Sequence, residues 1–229
     1  MADLMTLLWG AGEAPKRGPR PTLTLDAIAG AGIGIADADG LAAVTMQRVA
    51  DALGVTKMAL YRYVPGKDEL VALMVDRGIG APPRHEADDW RACLTEWALH
   101  LFGRFHRHPW ALGATVGARV LGPHELDWME QAVAALDGTG LGGGERLDVA
   151  ATLAGHVRGI AQQAAAVPDG PEAAMATGIG AILRGRETRF PALTAAFGSA
   201  AEEGTGDNAL EFGLARILDG VELLLAGRG

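Results

Sequence analysis

Residues 45–70 read TMQRVADALGVTKMALYRYVPGKDEL. Thr45 and Thr56 each precede a short stretch of helix-favouring residues, and a threonine hydroxyl at the start of a helix accepts a hydrogen bond from a free backbone N–H. Gly54 stands where a residue of left-handed conformation commonly ends a helix. Pro65 ends the second helix, because its ring disfavours helical backbone in the residue before it. The pattern predicts two short helices joined by a tight turn, a helix-turn-helix.

The two short helices are expected to have an inner and an outer face. Apolar residues that can interlock as a small core are Val49, Leu53, Val55, Leu60 and Val64. The outward residues of the second helix are then Lys57, Met58, Ala59, Tyr61, Arg62 and Tyr63. Phenol hydroxyls can donate to phosphates while the rings contact thymine methyl groups or sugars, which favours a DNA partner. Further candidates for phosphate contacts are Lys67, Thr45 and Arg48. Spacing alone is equally compatible with a plain helical hairpin inside a bundle.

The remainder of the chain is also patterned as helix, with no alternating stretches or hairpin turns from which a sheet could form. We therefore predict an all-α fold with a mobile basic arm at 1–20, a three-helix domain at 21–68 and a larger helical domain at 69–229. The basic residues of the arm are Lys16, Arg17 and Arg20. In the larger domain we predict helices at 88–108, 125–136, 145–166, 172–185 and 207–226. Two segments read as loops, the glycine-rich 137–144 and a flexible 198–206.

Composition restricts the class of protein. The 229 residues are 49% hydrophobic and 21% charged, as in an ordinary globular protein. A single cysteine excludes an intrachain disulfide framework. The chain has no apolar run long enough to span a membrane and no signal peptide pattern, so we expect a cytoplasmic protein. The net charge of −8 is uneven. Residues 1–67 hold seven basic and six acidic residues, whereas 68–229 hold thirteen and twenty-two, so overall acidity does not exclude DNA binding at the first part.

Residues 24–74, TLDAIAGAGIGIADADGLAAVTMQRVADALGVTKMALYRYVPGKDELVALM, closely resemble the DNA-binding domain of TetR-family transcriptional regulators. The resemblance implies that Thr56 and Lys57 through Ala59 face the major groove, while Tyr61, Tyr63 and Lys67 contact phosphates. Val64 stands where the family most often has Phe, which resembles the tetracycline-repressor branch. The implied function is that of a ligand-responsive repressor, a homodimer on a palindromic DNA operator that a small molecule releases.

Residues 88–229 resemble the C-terminal domain of the same branch more loosely, through Trp90, the Gly122-Pro123 break and the last helix. The resemblance implies a homodimer formed by the helices near 145–166 and 207–226. The residues themselves agree with this. Small residues on the first of these helices permit close approach: Ala150, Ala151, Ala154, Gly155 and Gly159. The second helix has a seam at alternating spacings of four and three: Leu210, Leu214, Ile217, Val221 and Leu224.

A small-molecule pocket is expected between the helices of the larger domain. Its candidate residues are Trp97, His100, Leu101, Arg104, Phe105, Trp128, Met129 and His156. Aromatic and Met walls with a few polar groups describe many small-molecule sites, although large residues also simply fill cores. We read His106 and His108 as solvated residues near a helix end. Residues 118–121 occupy the stretch where tetracycline repressors have a metal-binding histidine, so we expect no metal and no cofactor, and an apolar or aromatic effector.

Two alternative functions differ in how well the sequence supports them. An activator of the same fold is compatible with the sequence, because operator position decides between activation and repression. An all-helical enzyme is disfavoured, because the chain shows no activated nucleophile, no paired carboxylates at a defined spacing and no phosphate loop.

Overall fold

The computed structural model describes residues 2–10, 23–85, 89–166, 171–203 and 208–227. Within these ranges the regular structure is helical, with no strand, which confirms the predicted all-α fold. The first five helices are α1 (Ala2–Trp9), α2 (Leu25–Asp39), α3 (Met46–Ala52), α4 (Lys57–Tyr61) and α5 (Lys67–Ile79). The next seven are α6 (Trp90–Arg107), α7 (Trp110–Ala114), α8 (Pro123–Ala134), α9 (Gly143–Ala166), α10 (Pro171–Leu183), α11 (Pro191–Glu203) and α12 (Ala209–Ala226).

Helices α2, α3 and α4 form the head, and each begins after a threonine cap. The hydroxyls of Thr24, Thr45 and Thr56 accept hydrogen bonds from the backbone N–H three residues later, at 3.1, 3.1 and 3.2 Å. Gly54 links α3 to α4 with φ of +66°, the left-handed conformation that the sequence predicted. The residues packed beneath are fully buried: Ile28, Val49, Leu60 and Val64.

Helix α5 belongs to the head and to the rest of the molecule at once. One side packs on α2, where Gly32 leaves space for a side chain: a β-carbon at Gly32 would overlap the sulfur of Met74. Other residues of α5 contact α7 and α8. The predicted domain boundary at 68–69 therefore falls at the start of a helix that joins the two parts.

The larger part is built around α9, which packs against α6 on one side and α12 on another. Arg91 of α6 also holds α12 directly, through ion pairs with Asp219 and, at 3.1 Å, with Glu222. Helices α10 and α11 contact each other, and α10 contacts α9. None of the described helices has the length and apolar character needed to cross a lipid bilayer.

The expectation of an unstructured arm was wrong for residues 2–9, which form α1. The overlooked signal is Leu4, Leu7 and Leu8, at helical spacings of three and four. Helix α1 packs on α5, Leu8 is buried, and the indole N–H of Trp9 donates to the carbonyl of Leu121 at 2.9 Å. The basic residues of the predicted arm, Lys16, Arg17 and Arg20, lie outside the described residues.

The prediction of a flexible segment at 198–206 was also wrong for its first part, because residues 198–203 continue α11. Five of the thirteen residues of α11 are alanine, the strongest helix former, so one internal Gly198 does not end the helix. Residues 204–207 lie outside the described residues.

Two glycine substitutions test the head. Gly54→Ala should lower the free energy of unfolding by about 1 kcal/mol, because alanine is strained at positive φ. Gly30→Ala is the matched control, since Gly30 lies in the interior of α2 with open space around its missing β-carbon. That change should raise stability by up to about 1 kcal/mol. Urea denaturation at one fixed protein concentration measures both free energies of unfolding. Changes of the same sign in the two variants would contradict the left-handed turn at Gly54 and the helical position of Gly30.

Candidate DNA-binding surface and effector pocket

The outer face of α4 presents large side chains to solvent. Met58 is 74% exposed, and Tyr61 and Tyr63 are each 37% exposed. Lys57, Arg62 and Lys67 are exposed as well, whereas Ala59 is half-buried. Because Leu60 and Val64 fill the core from the inner side of the same turn, these tyrosines have no place in the interior.

The same surface carries basic side chains. Between Thr56 and Lys67 the chain carries three basic residues and no acidic one. The ammonium group of Lys57 lies 5.7 Å from the centre of the Tyr61 ring, a cation–π contact that holds both side chains on one patch. Such a patch suits phosphate oxygens.

The start of α3 borders this patch. The Thr45 hydroxyl caps α3, and its O–H remains a donor. Arg48 is held by Asp39, at 2.6 Å, and by the carbonyl of Ala43, at 3.4 Å. Arg48 is therefore tied to the C-terminal end of α2 rather than free, an arrangement that the sequence alone did not indicate.

A cavity of about 240 Å³ lies in the larger part. Its walls come mainly from α6, α8 and α9 and include Trp97, Leu101, Phe105, Trp128, Met129, Leu147, Ala150 and Ala154. Five of the eight predicted pocket residues are therefore brought together, all of them apolar.

The other three predicted pocket residues lie elsewhere. His100 is exposed, and Arg104 is half-buried outside the cavity wall. Each stands one position before a wall residue of α6, which turns it about 100° around the helix. His156 faces α12, where its Nε2 lies 3.0 Å from the carbonyl oxygen of Leu210. The structure therefore does not place these three predicted residues on the cavity wall.

The polar residues of the cavity are ones that the sequence reasoning missed. Arg119 forms a two-pronged ion pair with Glu125, one contact of which measures 2.7 Å. Arg158 donates to the Thr115 hydroxyl at 2.5 Å and to the carbonyl of Leu112. Burial, and secondarily the charge of Arg119, lowers the pKa of the Arg158 guanidinium. Arg158 follows Ala150 and Ala154 at helical spacings of four, a signal that the sequence did contain.

A second, wider cleft of about 990 Å³ lies between α1, α5 and residues 114–120. It is lined by aliphatic residues and by Lys67, Asp68 and Arg119, with no aromatic ring among the lining residues. The aromatic cavity is the better candidate for an effector. In the described part of the chain, no group of three His, Cys, Asp or Glu side chains is arranged to hold a metal ion.

Polar contacts join the head to the pocket-bearing part. Asp37, near the end of α2, accepts a hydrogen bond from the indole N–H of Trp110 at 2.7 Å. His108 Nδ1 lies 2.8 Å from the same carboxylate oxygen. The reading of His108 as solvated was wrong, since it is buried between α2 and α7. His106 is exposed, as predicted, and stacks on Phe102.

A second polar junction joins α5 to the start of α8. The fully buried carboxylate of Asp76 accepts a hydrogen bond from the backbone N–H of His124 at 2.9 Å and pairs with Arg77 at 2.8 Å. Arg77 also reaches Asp26 of α2, at 2.8 Å. Burial raises the pKa of the Asp76 carboxyl, and the charges of His124 and Arg77 oppose that rise.

Family models match both parts of the chain. Residues 24–74 match "Bacterial regulatory proteins, tetR family", and residues 82–225 match "Tetracyclin repressor-like, C-terminal domain". The chain belongs to the TetR family. Regulators of this family bind DNA and small molecules and form dimers. The predicted assignment, a ligand-responsive transcriptional repressor and not an enzyme, is confirmed at the level of the family.

Two relatives cover most of the chain. The HTH-type transcriptional repressor DrrR1 of Streptomyces coeruleorubidus is 37% identical over 245 residues, covering 100% of this chain and 88% of its own length. An HTH-type transcriptional regulator of Saccharopolyspora erythraea is 29% identical over 192 residues, covering 83% and 81%.

Solved structures share the fold. ActR of Streptomyces coelicolor without ligand has a TM-score of 0.77 at 24% identity, covering 92% of this chain and 100% of that one. ActR in complex with actinorhodin has a TM-score of 0.73 at 28% identity, covering 91% and 98%.

The junction at Asp37 can be tested by Trp110→Phe, which removes the indole N–H donor. The free energy of unfolding should fall by about 1 kcal/mol, and amide hydrogen exchange should accelerate at the C-terminal end of α2. His106→Ala, an exposed neighbour, should change stability by less than about 0.5 kcal/mol. Unchanged amide hydrogen exchange in α2 would show that the contact between Trp110 and Asp37 does not hold the head to the larger part.

Proposed function

We propose that this protein is a homodimeric repressor that places two copies of α4 in successive major grooves of a palindromic operator and leaves the DNA when a small aromatic molecule fills the α6–α9 cavity. The observation that carries the proposal is the surface formed by α4 and the residues that follow it up to Lys67. Exposed tyrosines and basic residues lie on its outer side, and Leu60 and Val64 are fully buried on its inner side. Because the proposed operator is part of the chromosome, we expect the protein to act in the cytoplasm.

The proposed roles on α4 follow from position along the helix. Thr56 through Ala59 occupy its N-terminal turn, the part of a recognition helix that contacts base edges. The phosphate backbone would be contacted by Tyr61 at the end of α4, by Arg62 and Tyr63 just after it, and by Lys67 at the start of α5. Thr45, through its O–H, and Arg48, steadied by Asp39, would contact the backbone on the opposite side of the groove.

Operator binding tests this surface. In Tyr61→Ala/Lys67→Ala, affinity for the DNA flanking the gene should fall at least about tenfold, because two phosphate contacts are lost in each subunit. Lys67→Ala alone should reduce the salt dependence, measured as the slope of log K against log salt, by about 2 for the dimer. Mobility-shift titrations at several stated salt concentrations measure both quantities.

Arg184→Ala is the control, because Arg184 is an exposed basic residue at the end of α10, far along the chain from the head. It should leave affinity and slope unchanged. Equal affinity of the double variant and the wild type would remove α4 from the DNA interface.

Dimerisation is proposed through α9 and α12. In the single chain these helices leave apolar side chains uncovered, with Leu147 51% and Leu223 75% exposed. Gly155 and Gly159 are exposed on α9, with open space at their missing β-carbons, so a second helix can approach closely. Because one small recognition helix binds DNA weakly, two copies about 34–36 Å apart are needed to read a palindrome.

Leu223→Glu should shift the protein from dimer to monomer, since it would bury a charge in the proposed interface. Size-exclusion chromatography with light scattering gives the mass at a fixed concentration. Leu99→Glu is the matched control, an exposed leucine on α6 that should leave the dimer intact. A wild-type monomer, or a variant that stays dimeric, would contradict the interface.

Release is proposed to travel through α7. Arg158 on the cavity wall holds the carbonyl of Leu112 in α7 and the hydroxyl of Thr115, the residue that follows α7. The first residue of α7, Trp110, holds Asp37 of the head. A ligand that changes the position of Arg158 therefore acts on a helix already bonded to α2. The energy comes from the difference in ligand affinity between the two arrangements.

A further inference from the structure

The charges of the aromatic cavity do not balance. Three charged side chains line it, Arg119, Glu125 and Arg158. Arg119 and Glu125 neutralise each other in a two-pronged pair. Among the described residues, the hydrogen-bond partners of Arg158 are both neutral, the hydroxyl of Thr115 and the backbone carbonyl of Leu112. The cavity wall therefore carries one excess positive charge.

That charge is held in apolar surroundings. The guanidinium of Arg158 lies over the Phe105 ring, 5.8 Å from its centre. Burial lowers the pKa of Arg158, and the nearby charge of Arg119 lowers it further. An anion next to the Arg158 guanidinium would offset both the cost of burying its charge and the repulsion from Arg119. A guanidinium has five N–H donors, so Arg158 can donate to an oxyanion in place of its present partners.

The aromatic walls offer no competing polar group. The indole N–H of Trp97 donates to the carbonyl of Trp128 at 2.9 Å, and that of Trp128 donates to the carbonyl of Gly80 at 2.8 Å. The two rings meet edge to face, 5.9 Å apart. Because both N–H groups are used within the protein, the walls present only ring surfaces to an occupant.

We propose that the effector is an anionic aromatic molecule, whose carboxylate or phenolate binds Arg158 while its flat body lies against Trp97, Phe105 and Trp128. This inference rests on the proposed function, and it narrows the effector class from aromatic molecules to aromatic anions. It also gives the release step a cause. An oxyanion on Arg158 competes with Leu112 and Thr115 for the same guanidinium, and so loosens α7 and its contact with Asp37.

Two probes of equal shape separate charge from aromatic contact. Anthracene-2-carboxylic acid is anionic at pH 7, whereas anthracene-2-carboxamide is neutral. Calorimetric titration of the full-length protein should show the acid binding about tenfold or more tightly than the amide, the gain typical of a charge-assisted hydrogen bond. The acid should also release operator DNA at lower concentration than the amide.

Variants at one position complete the test. Arg158→Met should bind acid and amide within about twofold of each other. Arg158→Lys keeps the charge and should keep most of the preference for the acid. The comparison of the two probes on the wild-type protein needs no variant, so it stands even if Arg158→Met fails to fold.

The outcomes distinguish this inference from the repressor function. Equal affinity for the two probes, or binding of neither, would overturn the anionic effector while leaving operator binding intact. Loss of specific operator binding by the wild-type protein would overturn the repressor function, whatever the probes do. Acid preference that survives Arg158→Met would assign the anion to another residue and contradict the proposal.

Discussion

Burial of α5 between the head and the rest of the molecule is the constraint on which the other features depend. Leu70, Leu73 and Met74 are fully buried, and α5 contacts α2 as well as α7 and α8. Protein interiors are close-packed, so a helix held from both sides moves with its neighbours or not at all. The direction in which α4 points is therefore set by the same packing that closes the wall beside the effector cavity, where Ile79 at the end of α5 forms part of the lining.

Two polar junctions make this coupling specific. Apolar packing tolerates small sliding movements, whereas hydrogen bonds are lost over about an ångström of displacement. Asp37 with Trp110 fixes α2 to α7, and Asp76 with the start of α8 fixes α5 to the helix that carries Trp128. Both junctions involve a carboxylate, whose hydrogen bonds are stronger than those between neutral groups. A ligand that shifts α7 or α8 therefore has a defined connection to the head.

Local signals in the sequence predicted the head well. The three threonine caps, Gly54 and Pro65 act on residues within four positions, so they can be read without a structure. Trp97, Leu101 and Phe105 are spaced by four and so share one face of α6, which allowed them to be predicted together. The exact edge of that face depends on how α6 packs against its partner helices, and this is why His100 was misplaced. The pairing of Arg158 with α7 spans more than 40 positions of sequence. The role of α1 was hidden because its apolar face is short and its partner α5 is distant in sequence.

The most direct test of the account is the distance between the two α4 helices in the dimer. A spin label at Met58→Cys, in a Cys93→Ala background, reports that distance by double electron–electron resonance, because Met58 is 74% exposed. In the free dimer the distribution should be centred at about 34–36 Å, one turn of DNA, and anthracene-2-carboxylate should move it away from that value. A distance unrelated to the DNA repeat, unaltered by the acid, or no measurable pair distance at all would contradict the account.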